Sequence, residues 1–87
     1  MHIKPVKAGM AVGGFAAIAH AVWALIIGLG WGQSFLNFIY RIHMVSPAPQ
    51  AEPFDLATAL LLVIVAAVIG FVAGSVFARV WNSVGSA

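Results

Sequence analysis

Residues 56–80 read LATALLLVIVAAVIGFVAGSVFARV, an apolar run whose single charge, Arg79, stands at its far end. A helix crossing a hydrocarbon core about 30 Å thick needs roughly 20 such residues, so this stretch is long enough to span a bilayer with some tilt. Asp55 stands just before it, where a carboxylate can accept from the free amides of a first helical turn. Trp81 and Arg79 close it with the residue types that anchor a span at the headgroup level. A second apolar run occupies residues 8–30, and a polar segment bearing Pro47, Pro49 and Pro53 separates the two.

This arrangement predicts an all-α membrane protein, a two-transmembrane-helix hairpin with a short interfacial helix in the connection. Its expected parts are a basic N-terminus (1–7), transmembrane helix 1 (8–30), the connection (31–54), transmembrane helix 2 (55–82) and a C-terminal tail (83–87). Composition agrees: of 87 residues, 63% are hydrophobic and 7% charged. A soluble domain this small buries only about 60% of its unfolded surface, too little to hide that apolar excess. Lipid, or partner helices within lipid, must cover the remainder. The chain has no Cys, which removes disulfides and thiolate metal sites, and no basic run that could grip nucleic acid.

Lys4 and Lys7 precede the first span and Arg79 ends the second, whereas the connection carries only Arg41. The positive-inside rule then places both termini in the cytoplasm, in a bacterial inner membrane. A cleaved signal peptide is the rival reading of the first run. The apolar stretch continues through Val22 to Ile27, beyond the about 7–15 residues of a signal h-region, which favours two retained spans.

The alternating Gly28, Gly30 and Gly32 around Trp31 end the first helix, since each glycine weakens a helix by about 1 kcal/mol relative to alanine. From Ser34 to His43 a helical period returns. Phe35, Phe38, Ile39 and Ile42 share one face, with Ser34, Asn37 and Arg41 opposite, as in a helix lying in the membrane interface. Trp31, Phe35, Tyr40 and Trp81 are the expected membrane-interface residues. The proline segment from Ser46 to Pro53 reads as an extended strap outside the membrane. Glu52 and Asp55 flank its end as solvated charges.

Within lipid, small residues let helix backbones approach closely. Helix 2 carries Ala66, Gly70, Gly74 and Ala78 at four-residue spacing, and helix 1 carries Gly9, Gly13, Ala17 and Ala21. These eight are the expected helix-packing residues. Helix 1 has a neighbouring row of Ala16, His20, Ala24, Gly28 and Gly32. Two rows exceed the need of one antiparallel partner, which points to a further partner subunit, or a second copy of the chain.

His20 is the one ionisable side chain deep in either span, and intramembrane ionisable residues are candidates for function. It can satisfy itself with a hydrogen bond, ligate a chlorin magnesium or haem iron, or relay protons. The spans supply no further groups for a relay. His2 and His43 lie outside them without metal-site spacing. No Ser/His/Asp set, P-loop or carboxylate pair is present, so the chain reads as a non-enzyme with no catalytic residues and no metal site.

The string Phe15-Ala16-Ala17-Ile18-Ala19-His20-Ala21-Val22-Trp23 resembles the pigment-binding span of bacterial light-harvesting polypeptides. In those a small residue four before the histidine leaves room for a macrocycle, and Ala16 occupies that place. The resemblance implies cofactor binding at His20, although those polypeptides have one span and this chain has two. A second resemblance rests on Gly30-Trp31-Gly32-Gln33-Ser34-Phe35-Leu36 and on residues 70–82. It is to a family of small bacterial two-helix membrane proteins with a G-W-G turn and a second helix ending G-F-x-x-G-x-x-F-A-x-x-aromatic-Asn. That family often places an acid before the G-F pair; here the position is Ile69, and the resemblance implies a fold without an activity.

The expected function is a non-catalytic accessory subunit of a larger membrane complex of the energy-converting (respiratory or photosynthetic) kind. Its partners would be other integral subunits and bound lipid. The alternatives are a pigment- or haem-binding polypeptide with His20 as axial ligand, and a homo-oligomeric pore or transport module. Spans without charged or hydroxyl-rich faces argue against the pore.

Overall fold

Pro5 opens the first helix. Its missing amide costs nothing at the first helical position, and the Lys4 carbonyl accepts from Ala8 at 3.0 Å. The computed structural model of the protein describes residues 2–85, which form α1 (Pro5–Gly28), α2 (Gly32–Ile42) and α3 (Leu56–Gly85), with no strand among them. Both α1 and α3 are long and apolar enough to cross a membrane by length and composition. At 1.5 Å per residue they measure about 36 and 45 Å.

The helix ends differ from the sequence expectation in instructive ways. The first helix starts at Pro5, three residues before the apolar run, because Pro5, Val6 and Lys7 are compatible with a first turn. It ends by a paired hydrogen-bond motif. Gly30, with φ +83°, donates to Ile27 at 3.0 Å, and Trp31 donates to Ile26 at 3.0 Å. That is the Schellman arrangement, in which a left-handed residue returns two amides to the last carbonyls. Gly28 stays helical and Gly30 makes the stop.

The second helix begins at Gly32 and ends by the same device. Met44 donates to Arg41 at 3.0 Å and Val45 to Tyr40 at 2.9 Å, with Met44 at φ 60°. At the far end of α3 the helix continues through Asn82 and Ser83 to Gly85. Residues 83–85 of the expected tail are therefore helical, with no proline to stop them; residues 86–87 lie outside the described residues. The Ser46–Pro47 peptide in the strap is cis.

Residues of α1 and α3 meet in opposite order along the chain. Gly9 faces Phe71 and Ser75, Gly13 faces Ala67 and Phe71, and Gly28 faces Phe54 just before α3. The two helices lie antiparallel. α2 packs against α1 only, through Gly32 beside Ile27 and a tilted ring contact between Phe35 and Trp23 at 5.6 Å.

The molecule measures 48 × 32 × 13 Å. A single helix with its side chains is about 10–12 Å across, so the three helices form one layer. A single layer has no interior, and the burial pattern shows it. Among the described residues the buried hydrophobic side chains are Ala66 and Ala78, and no polar group is buried.

Candidate functional site

α1 and α3 approach closely at four glycines. A Cβ on Gly70 would stand 2.9 Å from the Cα of Gly13, and one on Gly13 would stand 2.8 Å from the Ala67 carbonyl oxygen. A Cβ on Gly74 would stand 2.6 Å from the Ala8 carbonyl oxygen, and one on Gly9 would stand 2.5 Å from Ser75 Oγ. All these separations are shorter than side chains tolerate, so the backbones touch because the side chains are absent. Such contact gains dispersion energy that lipid tails cannot supply equally. On α3 the buried residues are Ala66, Gly70, Gly74 and Ala78.

On α1 the buried residues are Gly9 and Gly13; Ala17 is half-buried and Ala21 exposed. Ala16, His20 and Ala24 are half-buried as well, and Ala16 Cβ lies 3.1 Å from the Cβ position of Gly70. The covered face thus passes from the first small-residue row to the second along the helix. Two straight helices that cross at an angle produce this shift, because the contact moves from one row to the next. Of the second row, Ala16 meets α3 at Gly70, whereas Gly28 faces Phe54 of the strap and Gly32 faces Ile27. Part of the second small-residue row is thus covered within the chain, and Ala21 is exposed.

Polar side chains fasten the edges of this layer. The Asn82 amide accepts from the Ile3 amide at 2.8 Å and donates to the Ile3 carbonyl at 2.6 Å. Ser75 Oγ donates to the Pro5 carbonyl at 3.2 Å. At the other end Gln33 Oε1 accepts from Ala51 at 2.7 Å, while its Nε2 donates to the Pro49 carbonyl at 3.1 Å and to Asn37 Oδ1 at 3.0 Å. Sequence reasoning missed Gln33, Asn82 and the Ser75 bond. A lone polar residue in or beside an apolar helix has no periodic signal, and its bonds go to backbone far away in sequence.

Asp55 precedes α3 as its cap: Oδ2 accepts from the Thr58 amide at 3.1 Å and the Thr58 hydroxyl at 2.5 Å. The Thr58 hydroxyl bond, then the amide bond, hold the Asp55 carboxyl below its ordinary value of 3.8.

His20 is half-buried, with Nδ1 2.8 Å from the Ala16 carbonyl oxygen. A carbonyl only accepts, so Nδ1 carries the proton and the lone pair of the neutral ring sits on Nε2. His43 makes the corresponding bond to Ile39 at 2.7 Å outside the spans. No group of three or more His, Cys, Asp or Glu is gathered in metal-binding proximity among the described residues.

The aromatics expected at a membrane interface lie in α2, at its start and near the end of α3. Trp31 is 62% exposed, Phe35 and Trp81 are exposed and Tyr40 is half-buried. Trp81 stacks on Phe77 at 6.2 Å, and the Arg41 guanidinium sits 5.8 Å over the Phe38 ring. Comparison of the chain with family models, with curated proteins and with solved structures gives no match in any of the three.

Proposed function

We propose that the chain is a membrane-spanning helical hairpin that serves as a non-catalytic accessory subunit of a larger integral membrane complex. The observation that carries this reading is the single-layer build. Away from the α1–α3 contact both helices carry exposed bulky apolar side chains, such as Phe15, Ile18 and Leu25 on α1 and Leu61, Ile64 and Val68 on α3. At about 25 cal/mol per Å² of apolar surface, these faces require cover by lipid or neighbouring helices. The antiparallel pairing puts Ile3 beside Asn82, so both termini share one side, which Lys4, Lys7 and Arg79 assign to the cytoplasm. α2, with Phe35, Phe38 and Ile42 exposed, lies in the opposite interface as an amphipathic helix.

Native mass spectrometry of a mild-detergent extract tests the reading. The chain is expected in a heteromeric assembly of fixed stoichiometry. Recovery solely as a monomer, or solely with copies of itself, sinks the proposal.

A second reading has His20 as an axial ligand. The bond from Nδ1 to Ala16 supports it, because that bond fixes the ring and leaves Nε2 as the free donor atom, the way ligating histidines are held. An absorption spectrum of the purified chain decides: a chlorin or haem band that disappears in His20→Ala supports ligation, and the absence of any band rejects it.

A further inference from the structure

The contact between α1 and α3 changes character along its length. Around Gly9, Gly13, Gly70 and Gly74 the backbones touch. Toward the connection the facing positions are larger, and a groove of about 510 Å³ opens there. Trp23, Ala24 and Ile27 of α1, Leu36 of α2, and Ala59 and Leu62 of α3 form its apolar body. The strap from Gln50 to Phe54 forms its outer end, where Glu52 and Asp55 contribute the only ionisable groups of the lining. A groove between about 300 and 1,000 Å³ is of the size that holds a small ligand.

We propose that this groove binds an amphiphile with an ammonium head and an apolar tail. The tail fits the slot beside Trp23, Ile27 and Leu62, which would otherwise contain disordered lipid or water. The head belongs at the strap end for reasons of charge. Two carboxylates stand there with no Lys, Arg or His in the lining to neutralise them. Asp55 directs one oxygen, Oδ2, to both Thr58 bonds, and those bonds keep it ionised while Oδ1 remains for a ligand. Phe54, beside these carboxylates in the strap, adds an aromatic ring of the kind that attracts quaternary ammonium groups. An anionic amphiphile meets like charge at the same place. The inference concerns this chain's own groove and stands whether or not the chain belongs to a larger assembly.

The probe is dodecyltrimethylammonium brominated on its tail, titrated into the protein in a neutral maltoside detergent. Trp23 fluorescence is read in a Trp31→Phe/Trp81→Phe background, where bromine in the groove quenches it. Saturable quenching is expected, with affinity lowered roughly tenfold in Glu52→Gln/Asp55→Asn, and with none from the brominated dodecyl sulfate. Asparagine caps a helix about as well as aspartate, so the double variant keeps α3, as unchanged circular dichroism will show. Equal affinity in the double variant, or equal quenching by the sulfate, overturns the proposal. Displacement of the probe by phosphatidylethanolamine identifies the head as that of an aminolipid. Failure to displace it identifies a free alkylammonium; either result accords with an ammonium site.

Discussion

Gly70 lies so close to Gly13 that a Cβ added to it would stand 2.9 Å from the Gly13 Cα, whereas a Cβ on the adjacent Gly14 would meet nothing within 4 Å. Neighbouring glycines on one helix therefore have opposite duties. Gly13 permits a backbone contact; Gly14 faces outward and contributes only the flexibility that weakens a helix.

This contrast predicts opposite signs for the same substitution. Gly13→Ala must push the Ala67 carbonyl away and is expected to destabilise the fold by about 1–3 kcal/mol, the usual range for overpacking. Gly14→Ala meets no obstacle and gains helix propensity of up to about 1 kcal/mol. Unfolding by dodecyl sulfate in mixed micelles, followed by circular dichroism, measures both. Two equal shifts would show that the glycines of α1 act through flexibility alone.

The Asn82 amide meets both the amide and the carbonyl of Ile3. Replacing it with alanine strands two backbone groups, each hydrogen bond being worth about 0.5–1.5 kcal/mol net. Amide exchange at residues 3–8 is expected to accelerate about tenfold or more, with the centre of α1 unaffected. Exchange unchanged at Ile3 would show that the N-terminus is held by other means.

Met44 adopts φ 60° to close α2, and it is 92% exposed. A left-handed conformation costs a non-glycine residue roughly 1–2 kcal/mol. Met44→Gly is expected to raise stability by about 1 kcal/mol, less the entropy glycine adds to the unfolded chain. A thermal melt that falls in this variant would mean the side chain makes a contact worth more than the strain.

Asp55 titrates lower when folded than its ordinary 3.8, through its two bonds to Thr58. A depressed folded value means the cap contributes fully above 3.8 and is lost as pH falls through the lowered value. Helicity at the start of α3 should therefore fray in strong acid. Asp55→Asn is expected to abolish that acid step while leaving α3 intact at neutral pH. Peptide-resolved amide exchange at residues 56–60, compared at neutral and acid pH, gives the answer.

The two apolar helices are plain in the letters because length and composition alone define them; residues 56–80 carry one charge. The row Ala66, Gly70, Gly74 and Ala78 is equally visible as a four-residue period. What lies against that row is not, because periodicity reports which residues share a face and is silent on the crossing angle. Ala16 and Ala24 are partly covered while Ala21 is exposed, which the period does not foretell. Helix ends were harder for a related reason. Gly30 and Met44 close their helices through backbone bonds, and only the first is a residue type that advertises a left-handed turn. The groove under the strap was illegible, since it is made by Trp23, Leu36, Glu52 and Leu62 from four separate segments.

A body only 13 Å deep behaves mechanically as a shim. Any bodies that rested on its two broad sides would be held apart by at least that depth. Thinness itself, more than any side chain, would then set the spacing that this protein imposes on its surroundings.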